Sequence, residues 1–514
     1  MAREGIQYVL PEGLDAEGAV ELLAAHLDVE RGRARSGDRR FYDTFDGRLR
    51  SEELTLTHED GQLVLADVAG RALNAAKRPA PPRRLFASDL PPGPLRDALE
   101  PITSPRVLTP LARVRSRVRA MRVLDEEAKT VVRVILEEPV LEGPGEVRMP
   151  LDRRVLVLPV RGYDKAMAHV RQTLRGELGL AEAAVSLQDE AVAATGRSPG
   201  GTSSKLEPRH ERGERADRAT AAALAGPSAT MWATFPGTLA DLDTEFLHDF
   251  RVAVRRTRSL QRQLAPVFPP EPLAHFRAEF KWLQQVTGEV RDLDVHQAEL
   301  SRSGSTADGD RSADLEPLRE MLAARRRTEF RRMSRALRSM RATEILDGWS
   351  TLLETLPALP PEGRLDASEP IGDPVDRRIR KVYRRMVRMG KAIDDSNPPE
   401  ALHDLRKKGK ELRYLLEFFA GLYPEDVVKP MVRKLKGLQD VLGRYQDQEV
   451  QAATLRALGE DLGARKGGPA ALMAMGLLVE SLEGDHRAAR MEFAERFAPF
   501  AAKAQRKVVD RTFA

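Results

Sequence analysis

The sequence predicts a multidomain protein: an α+β region dominated by antiparallel sheet, followed by an all-α region built as a duplicated pair of helical halves. Three observations predict it. Up to about Val192 short apolar runs alternate with polar residues, the period of half-buried strands. From Ala219 onward apolar residues recur every three or four positions, the period of amphipathic helices. Within that helical region a pair of separate motifs recurs at one spacing. Phe246-Leu-His-Asp-Phe-Arg returns as Ala401-Leu-His-Asp-Leu-Arg, and Leu283-Gln-Gln-Val-Thr-Gly-Glu-Val-Arg-Asp returns as Leu438-Gln-Asp-Val-Leu-Gly-Arg-Tyr-Gln-Asp, each 155 positions later. A constant offset across two motifs indicates duplication, with pseudo-two-fold packing as its natural outcome.

A chain of 514 residues is too long for a single core, so more than one domain is expected. In residues 1–194 the runs Leu54-Thr-Leu-Thr-His, Gln62-Leu-Val-Leu, Val114-Arg-Ser-Arg-Val-Arg and Thr130-Val-Val-Arg-Val-Ile-Leu read as strands. Asp15 to His26 and Tyr163 to Leu178 read as helices, and Pro79 to Pro94 as a proline-rich break. Residues 195–218, rich in Gly, Ser and charge, read as a flexible linker. The helical domain then occupies 219–514, with halves at about 219–355 and 375–514. Breaks at Ser301 to Asp314 and at the Pro/Gly-rich Leu356 to Pro374 interrupt it.

Cysteine is absent, which excludes disulfides, thiolate zinc sites and a cysteine nucleophile. No apolar run reaches the length of a membrane span, and the N-terminus lacks a signal-peptide pattern, so a cytoplasmic location is expected. The net charge is only +5, and all of it lies beyond Pro227, where 48 Lys and Arg face 43 Asp and Glu. So small an excess makes the placement of the charges decisive.

The placement is ordered. His248, Arg251, Arg255, Arg258 and Arg262 follow one another by 3, 4, 3 and 4 positions and share one helical face. The second copy places His403, Arg406, Lys410 and Arg413 in the same way, with Lys407 beside the row. A solvated face is the ordinary alternative, but such faces interleave acids with bases at i,i+4. The first row has no acid after Asp249. Stacked like charges cost stability unless an anion offsets them. One His per repeat, with no second His at i+4, makes a poor metal site. No Ser-His-acid or paired-carboxylate arrangement stands out, so neither catalysis nor a metal is expected there. Further basic rows run through Arg377, Lys381, Arg384, Arg388 and Lys391, and through Arg331, Arg335 and Arg338. Lys281 and Lys436 also match at the 155-residue offset. The two His-led rows with Lys281 and Lys436 are the main candidates, and Arg384 and Arg388 are additional ones.

The Leu-His-Asp-x-Arg-x-x-x-(Arg/Lys)-x-x-Arg pattern occurs twice, each copy followed by Leu-Gln-x-Val-x-Gly-x-x-x-Asp. It resembles the conserved histidine α-helical domain, CHAD, over roughly Ala223 to Ala498. The resemblance implies two pseudo-symmetric four-helix bundles whose basic groove binds inorganic polyphosphate, with no cofactor and no catalysis. His248, Arg251, Arg255, Arg258, His403, Arg406, Lys410 and Arg413 hold the matching positions. Association with polyphosphate granules would follow from such a ligand. Lys410 in place of Arg255 keeps charge but not the planar fork, and Glu411 replaces Arg256, so the copies are not equivalent.

The N-terminal region more faintly resembles the CYTH domain, a β-tunnel that binds triphosphates with a divalent metal, through Phe41-Tyr-Asp-Thr-Phe-Asp-Gly-Arg-Leu and Leu54-Thr-Leu. The family's Glu-x-Glu-x-Lys falls here on Glu4, Ile6 and Tyr8, its Leu-Arg-x-Arg on Leu56-Thr57-His58-Glu59, and its Leu-Lys on Leu65-Ala66. Charged ligands for metal and phosphate are thus missing, and loss of hydrolase chemistry is expected. Arg113, Arg115, Arg117 and Arg119 alternate on one strand face, where they could line a residual anion site or protect an edge. The leading reading is non-enzymatic polyphosphate binding by a protein with a degenerate CYTH-like domain. Its rivals are a triphosphatase or polyphosphatase using the tunnel, with the helical domain recruiting substrate, and binding of nucleic acid. The last ranks lowest because the rows lack interleaved aromatics for base stacking.

Overall fold

Most strands form where apolar and polar residues alternate, and helices where apolar residues recur every three or four positions. The computed structural model describes residues 5–68, 70–143, 147–202, 210–306, 313–394 and 398–514, in two units, Met1–Ser203 and Ser204–Ala514. Among the described residues no helix is long and apolar enough to cross a membrane.

In the first unit ten strands, all paired antiparallel, form one sheet. They are β1 (Ile6–Val9), β2 (Val29–Thr44), β3 (Leu54–Glu59), β4 (Gln62–Asp67), β5 (Ala72–Lys77), β6 (Leu108–Leu124), β7 (Thr130–Glu142), β8 (Arg148–Pro150), β9 (Arg154–Pro159) and β10 (Ala181–Glu182). Their order is β10-β1-β9-β7-β6-β2-β3-β4-β5, with β8 paired to β7. Helices α1 (Ala16–His26), α2 (Arg48–Ser51), α3 (Pro94–Thr103), α4 (Asp164–Gln172) and α5 (Leu187–Ala194) accompany it. Tyr8, Val132, Val134 and Val157 pack on Val20 and Leu23 of α1 and Val170 of α4. The opposite face of seven neighbouring strands lines one cavity of about 610 Å³, so the sheet is strongly curved.

Strand β2 departs from the expectation, because its stretch Arg31 to Arg40 has no apolar alternation. It is held instead by long pairing with β6 and by β3. Gly32 sits at a bulge against β6, where a Cβ would come within 2.4 Å of the Ala120 carbonyl oxygen. Residues 195–202 depart from the expected linker. The Thr202 amide donates to the Phe45 carbonyl at 3.0 Å, and Gly201, at φ +70°, lies too close to that carbonyl for any side chain. Residues 203–209 of the expected linker lie outside the described residues. Residues 210–218 belong to the helical unit, where the Ala216 amide donates to Glu369 O at 2.8 Å and Arg212 pairs with Asp376.

The helical unit contains α6 (Ala216–Leu239), α7 (Thr244–Gln263), α8 (Pro270–Val286), α9 (Gly288–Thr306), α10 (Glu316–Leu337), α11 (Met340–Thr355), α12 (Gly372–Lys391), α13 (Pro399–Phe418), α14 (Glu425–Gly463), α15 (Gly468–Ala501) and α16 (Lys503–Thr512). The duplication holds element by element: α13 begins and ends 155 residues after α7, and α14 begins 155 after α8. The copies differ in one rod, since α8 and α9 are separate where α14 runs unbroken for 39 residues. Of the expected break at Ser301 to Asp314, residues 307–312 lie outside the described residues, and α9 continues to Thr306. Pro374 of the second break falls in the first turn of α12, where its missing N–H costs nothing.

One apolar cluster runs through both halves, from Leu224 and Leu260 to Leu412 and Phe500, with Trp349 enclosed by Phe268, Phe276 and Phe280. A second lies under α9, α10, α14 and α15. The segment between the halves is anchored from within by Arg364. This buried guanidinium donates to Val267 O at 3.0 Å, Leu359 O at 2.8 Å and Asp217 at 3.1 Å.

Candidate functional site

Asp243 caps α7 by accepting from the Glu245 and Phe246 amides. Phe250, Val254 and Leu260 face the core, which turns Arg251, Arg255 and Arg258 along the flank of α7 that faces α13 and α8. Leu405, Leu412 and Leu415 do the same for Arg406, Lys410 and Arg413. The two rows meet midway: Arg255 Nε donates to the Tyr414 hydroxyl on α13 at 2.7 Å, and Arg255 also bears electrostatically on Lys410.

The first cation of each row is held by the second duplicated motif. Arg251 Nη1 donates to Gln284 O and Thr287 Oγ1, both at 2.9 Å, beside Gly288, while Asp292 acts on its charge. Arg406, its counterpart, lies over Gly443 and pairs with Asp447 at 3.1 Å. Each glycine leaves room for a guanidinium, and each terminal Asp supplies one carboxylate beside it. Arg258 donates to Gln284 Oε1, whereas Arg413 pairs with Glu417 at 3.1 Å. His248 and His403 open the rows half-buried, and His403 Nδ1 finds no partner among the described residues.

Cations outnumber acids along this seam. Burial pushes Arg251 down to about 10; Asp292 opposes the shift, and Arg255 and Arg291 add to it. Burial, then Arg262, lowers Arg258. Burial pushes Lys410 down to about 7, Arg406, Arg255 and Arg413 add to that, and Asp447 opposes it. The folded value of Lys410 lies below the ordinary 10.5. The unfolded chain therefore binds more protons between about pH 7 and pH 10.5, and this group's contribution to stability rises through that window. Lys410→Met should accordingly be more thermostable than the parent near pH 6 and lose that advantage by about pH 10. Paired thermal unfolding across pH measures it, and a difference independent of pH would show that Lys410 titrates normally.

The remaining candidates divide. Arg262 is exposed at the end of its row, close to Arg258, and Lys281 and Lys436 are exposed one turn ahead of Gln284 and Gln439. Lys407, beside the row, is exposed and pairs with Asp404 at 3.0 Å. Arg384 faces outward and pairs with Asp510 at 2.7 Å, and Arg388 is exposed one turn on. Counting steps along α12 cannot tell its inner basic face from its outer one. Half-buried Arg378, with exposed Arg385 two turns on along the same stripe, is not singled out by the spacing of charges, any more than Gln284, Thr287 and Tyr414 are. Gln284 and Thr287 lie inside the duplicated motif, which was the available signal.

In the first unit Thr57, Glu59 and Ala66 line the cavity, but β1 stands one residue out of the expected register. Gln7 faces the cavity, while Ile6 and Tyr8 turn to the core under α1; Glu4 lies outside the described residues. Two of the cavity guanidiniums, Arg39 and Arg154, are already engaged. Arg39 pairs with Glu59 at 3.0 Å and Glu137 at 3.6 Å, and buried Arg154 pairs with Glu190 at 2.5 Å. Burial opposes the Arg39 charge, yet Glu137 and Glu59 outweigh it and raise its pKa. Arg113, Arg115, Arg117 and Arg119 form neither an edge nor an open anion site. Their strand is interior to the sheet, and they pair with Asp38, Glu142, Glu138 and Glu17.

A sequence profile of the CHAD domain matches residues 222–456. Two uncharacterized proteins from strains of Mycobacterium tuberculosis are 32% identical over 230 residues, covering 42% of this chain and 42% of each relative. The chain thus spans less than half the length of the curated relatives it matches. Among solved structures, the crystal structure of the CHAD domain from the plant Ricinus communis has a TM-score of 0.44 at 21% identity, over 60% of this chain and 96% of that one. PptA from Streptomyces chartreusis has a TM-score of 0.42 at 15% identity, over 55% and 99%.

Proposed function

The chain carries a CHAD domain over residues 222–456, and from that premise we propose that its helical unit binds inorganic polyphosphate without hydrolysing it. The observation that supports this best is the meeting of Arg255 and Lys410, where two rows of half-buried cations converge with few carboxylates among them. Gathering like charges in this way is unfavourable until a polyanion is present. A chain of phosphates offers repeated charge at close spacing, which two facing rows can bridge. Arginine supplies paired hydrogen bonds to phosphate oxygens, and Lys410 a compact charge. Release of condensed counterions adds affinity, as with nucleic acids. Such a ligand would place the protein in the cytoplasm, at polyphosphate granules.

The test is calorimetric titration of the full chain with polyphosphate, tripolyphosphate and RNA side by side. Polyphosphate should bind most tightly, weaken as salt rises, and displace RNA. Displacement of polyphosphate by RNA at matched charge would favour a nucleic-acid partner instead. Tyr414, the aromatic residue of the seam, is buried and already bonded to Arg255, which disfavours base stacking.

For the first unit we propose a CYTH-like tunnel that has lost its chemistry, since Gln7, Thr57 and Ala66 stand in the cavity where charged ligands would be needed. Incubation with tripolyphosphate and magnesium or manganese should release no phosphate above background. Turnover that disappears in Glu59→Gln would show instead that other cavity groups have taken over hydrolysis.

A further inference from the structure

Resting on the polyphosphate reading, we infer that the anion path does not end with the two rows. It turns at the C-terminal end of α7 onto α8 and α12, where Arg262, Arg277, Arg378 and Arg385 form a subsite for the continuing phosphates of a chain longer than triphosphate. The geometry converges there. Arg277 reaches from α8 and donates to Gln261 O at 2.7 Å, and Arg378 reaches from α12 and donates to Gln263 Oε1. The two are thus anchored on either side of Arg262, one turn beyond Arg258.

Pairing distinguishes these arginines from Arg377 and Arg384. On the outward face of α12, Arg377 pairs with Asp366 and Glu369, and Arg384 with Asp510. Among the described residues no ion pair joins Arg262, Arg277, Arg378 or Arg385 to a carboxylate. Glu411 is the acid that acts on Arg378, but it is paired with Lys408 at 2.8 Å. Burial lowers Arg277 and Arg378, and Arg262 adds to both shifts. Arg277 Nε is also an enclosed donor without a partner. On α12, then, Arg377 and Arg384 have acids of their own while Arg378 and Arg385 do not, which leaves anion-binding capacity beside the end of α7.

Length gives the subsite its selectivity. Arg251 and Arg262 are 11 residues apart on α7, roughly 16 Å of helix, which exceeds the reach of a triphosphate. A short ligand is satisfied by the rows alone; a long one continues onto α8 and α12. The subsite has no two-fold mate, because positions 155 residues away hold Glu417, Val432, Ala223 and Thr230. The extension therefore exists at one end only.

The experiment compares tripolyphosphate with polyphosphate of several tens of phosphates on the full chain, its R277Q/R378Q variant and its R385E variant. Both variants should lose about ten-fold or more in affinity for the long chain and keep tripolyphosphate affinity within about two-fold. Arg385 is exposed and has no such anchor to the helix end, so R385E tests the charge where loss of packing cannot intrude. Unchanged long-chain affinity in R385E, or equal losses for both ligands, would overturn the subsite. Failure of the parent protein to bind either phosphate would instead remove the polyphosphate reading itself.

Discussion

Reversing Arg406, Lys410 and Arg413 together to Glu should lower polyphosphate affinity by about three orders of magnitude. Each charge-assisted contact to phosphate contributes about 1.5–3 kcal/mol before screening, and three acids add repulsion to the loss. The slope of affinity against salt should fall as well, because fewer counterions are released. Calorimetry at several salt concentrations reads both. The matching reversal of Arg251, Arg255 and Arg258 should cost similar affinity and also lower the thermal midpoint. Arg251 and Arg258 hold Gln284 and Thr287 in place, whereas Arg406 and Arg413 make partly exposed ion pairs. Reversal of both rows should cost much less than the sum, since little binding remains to lose. If the α13 row can be reversed with affinity and salt slope unchanged, the seam is not the site.

The second large effect is on stability. Arg364→Met should destabilise the helical unit by about 3 kcal/mol or more. Removal of the guanidinium leaves the Val267 and Leu359 carbonyls short of a donor and leaves buried Asp217 with Arg215 as its remaining ionic partner. Arg364→Lys should not restore the loss, because an ammonium cannot address three acceptors in the planar fork's directions. Thermal unfolding followed by helical circular dichroism measures it. A loss under about 1 kcal/mol would mean that Arg215 alone satisfies Asp217.

Much of the architecture is legible in the residues, for identifiable reasons. Strands β3, β4, β6 and β7 announce themselves by alternation, and α7 and α13 by the same His-led pattern at one offset. What stays hidden depends on contacts between distant residues. β2 is polar and persists by pairing, so its own sequence carries no sign of it. β1 is so short that its face cannot be chosen from its residues, and a slip of one position exchanges Gln7 for Tyr8. On α12 basic residues occupy several faces, and only the packing of Val375, Ile379, Val382 and Met386 shows that Arg378 is turned inward and Arg384 outward. Tyr414 lies in the core, yet its hydroxyl also receives the other half's arginine.

The 155-residue offset has one more consequence. Two identical subunits in a homodimer share every substitution, so a change that helps one face is imposed on its mate. Joining the halves in a single chain removes that constraint and also holds them together at any protein concentration. Each half was then free to specialise: Tyr414 answers Arg255 where the equivalent position holds Ser259, Glu411 stands where the first half has Arg256, and α14 is continuous where α8 and α9 part at Thr287. Making the halves alike at one such position, Glu411 to Arg for instance, would take the acid away from Lys408 and Arg378 and gather more like charge beside them.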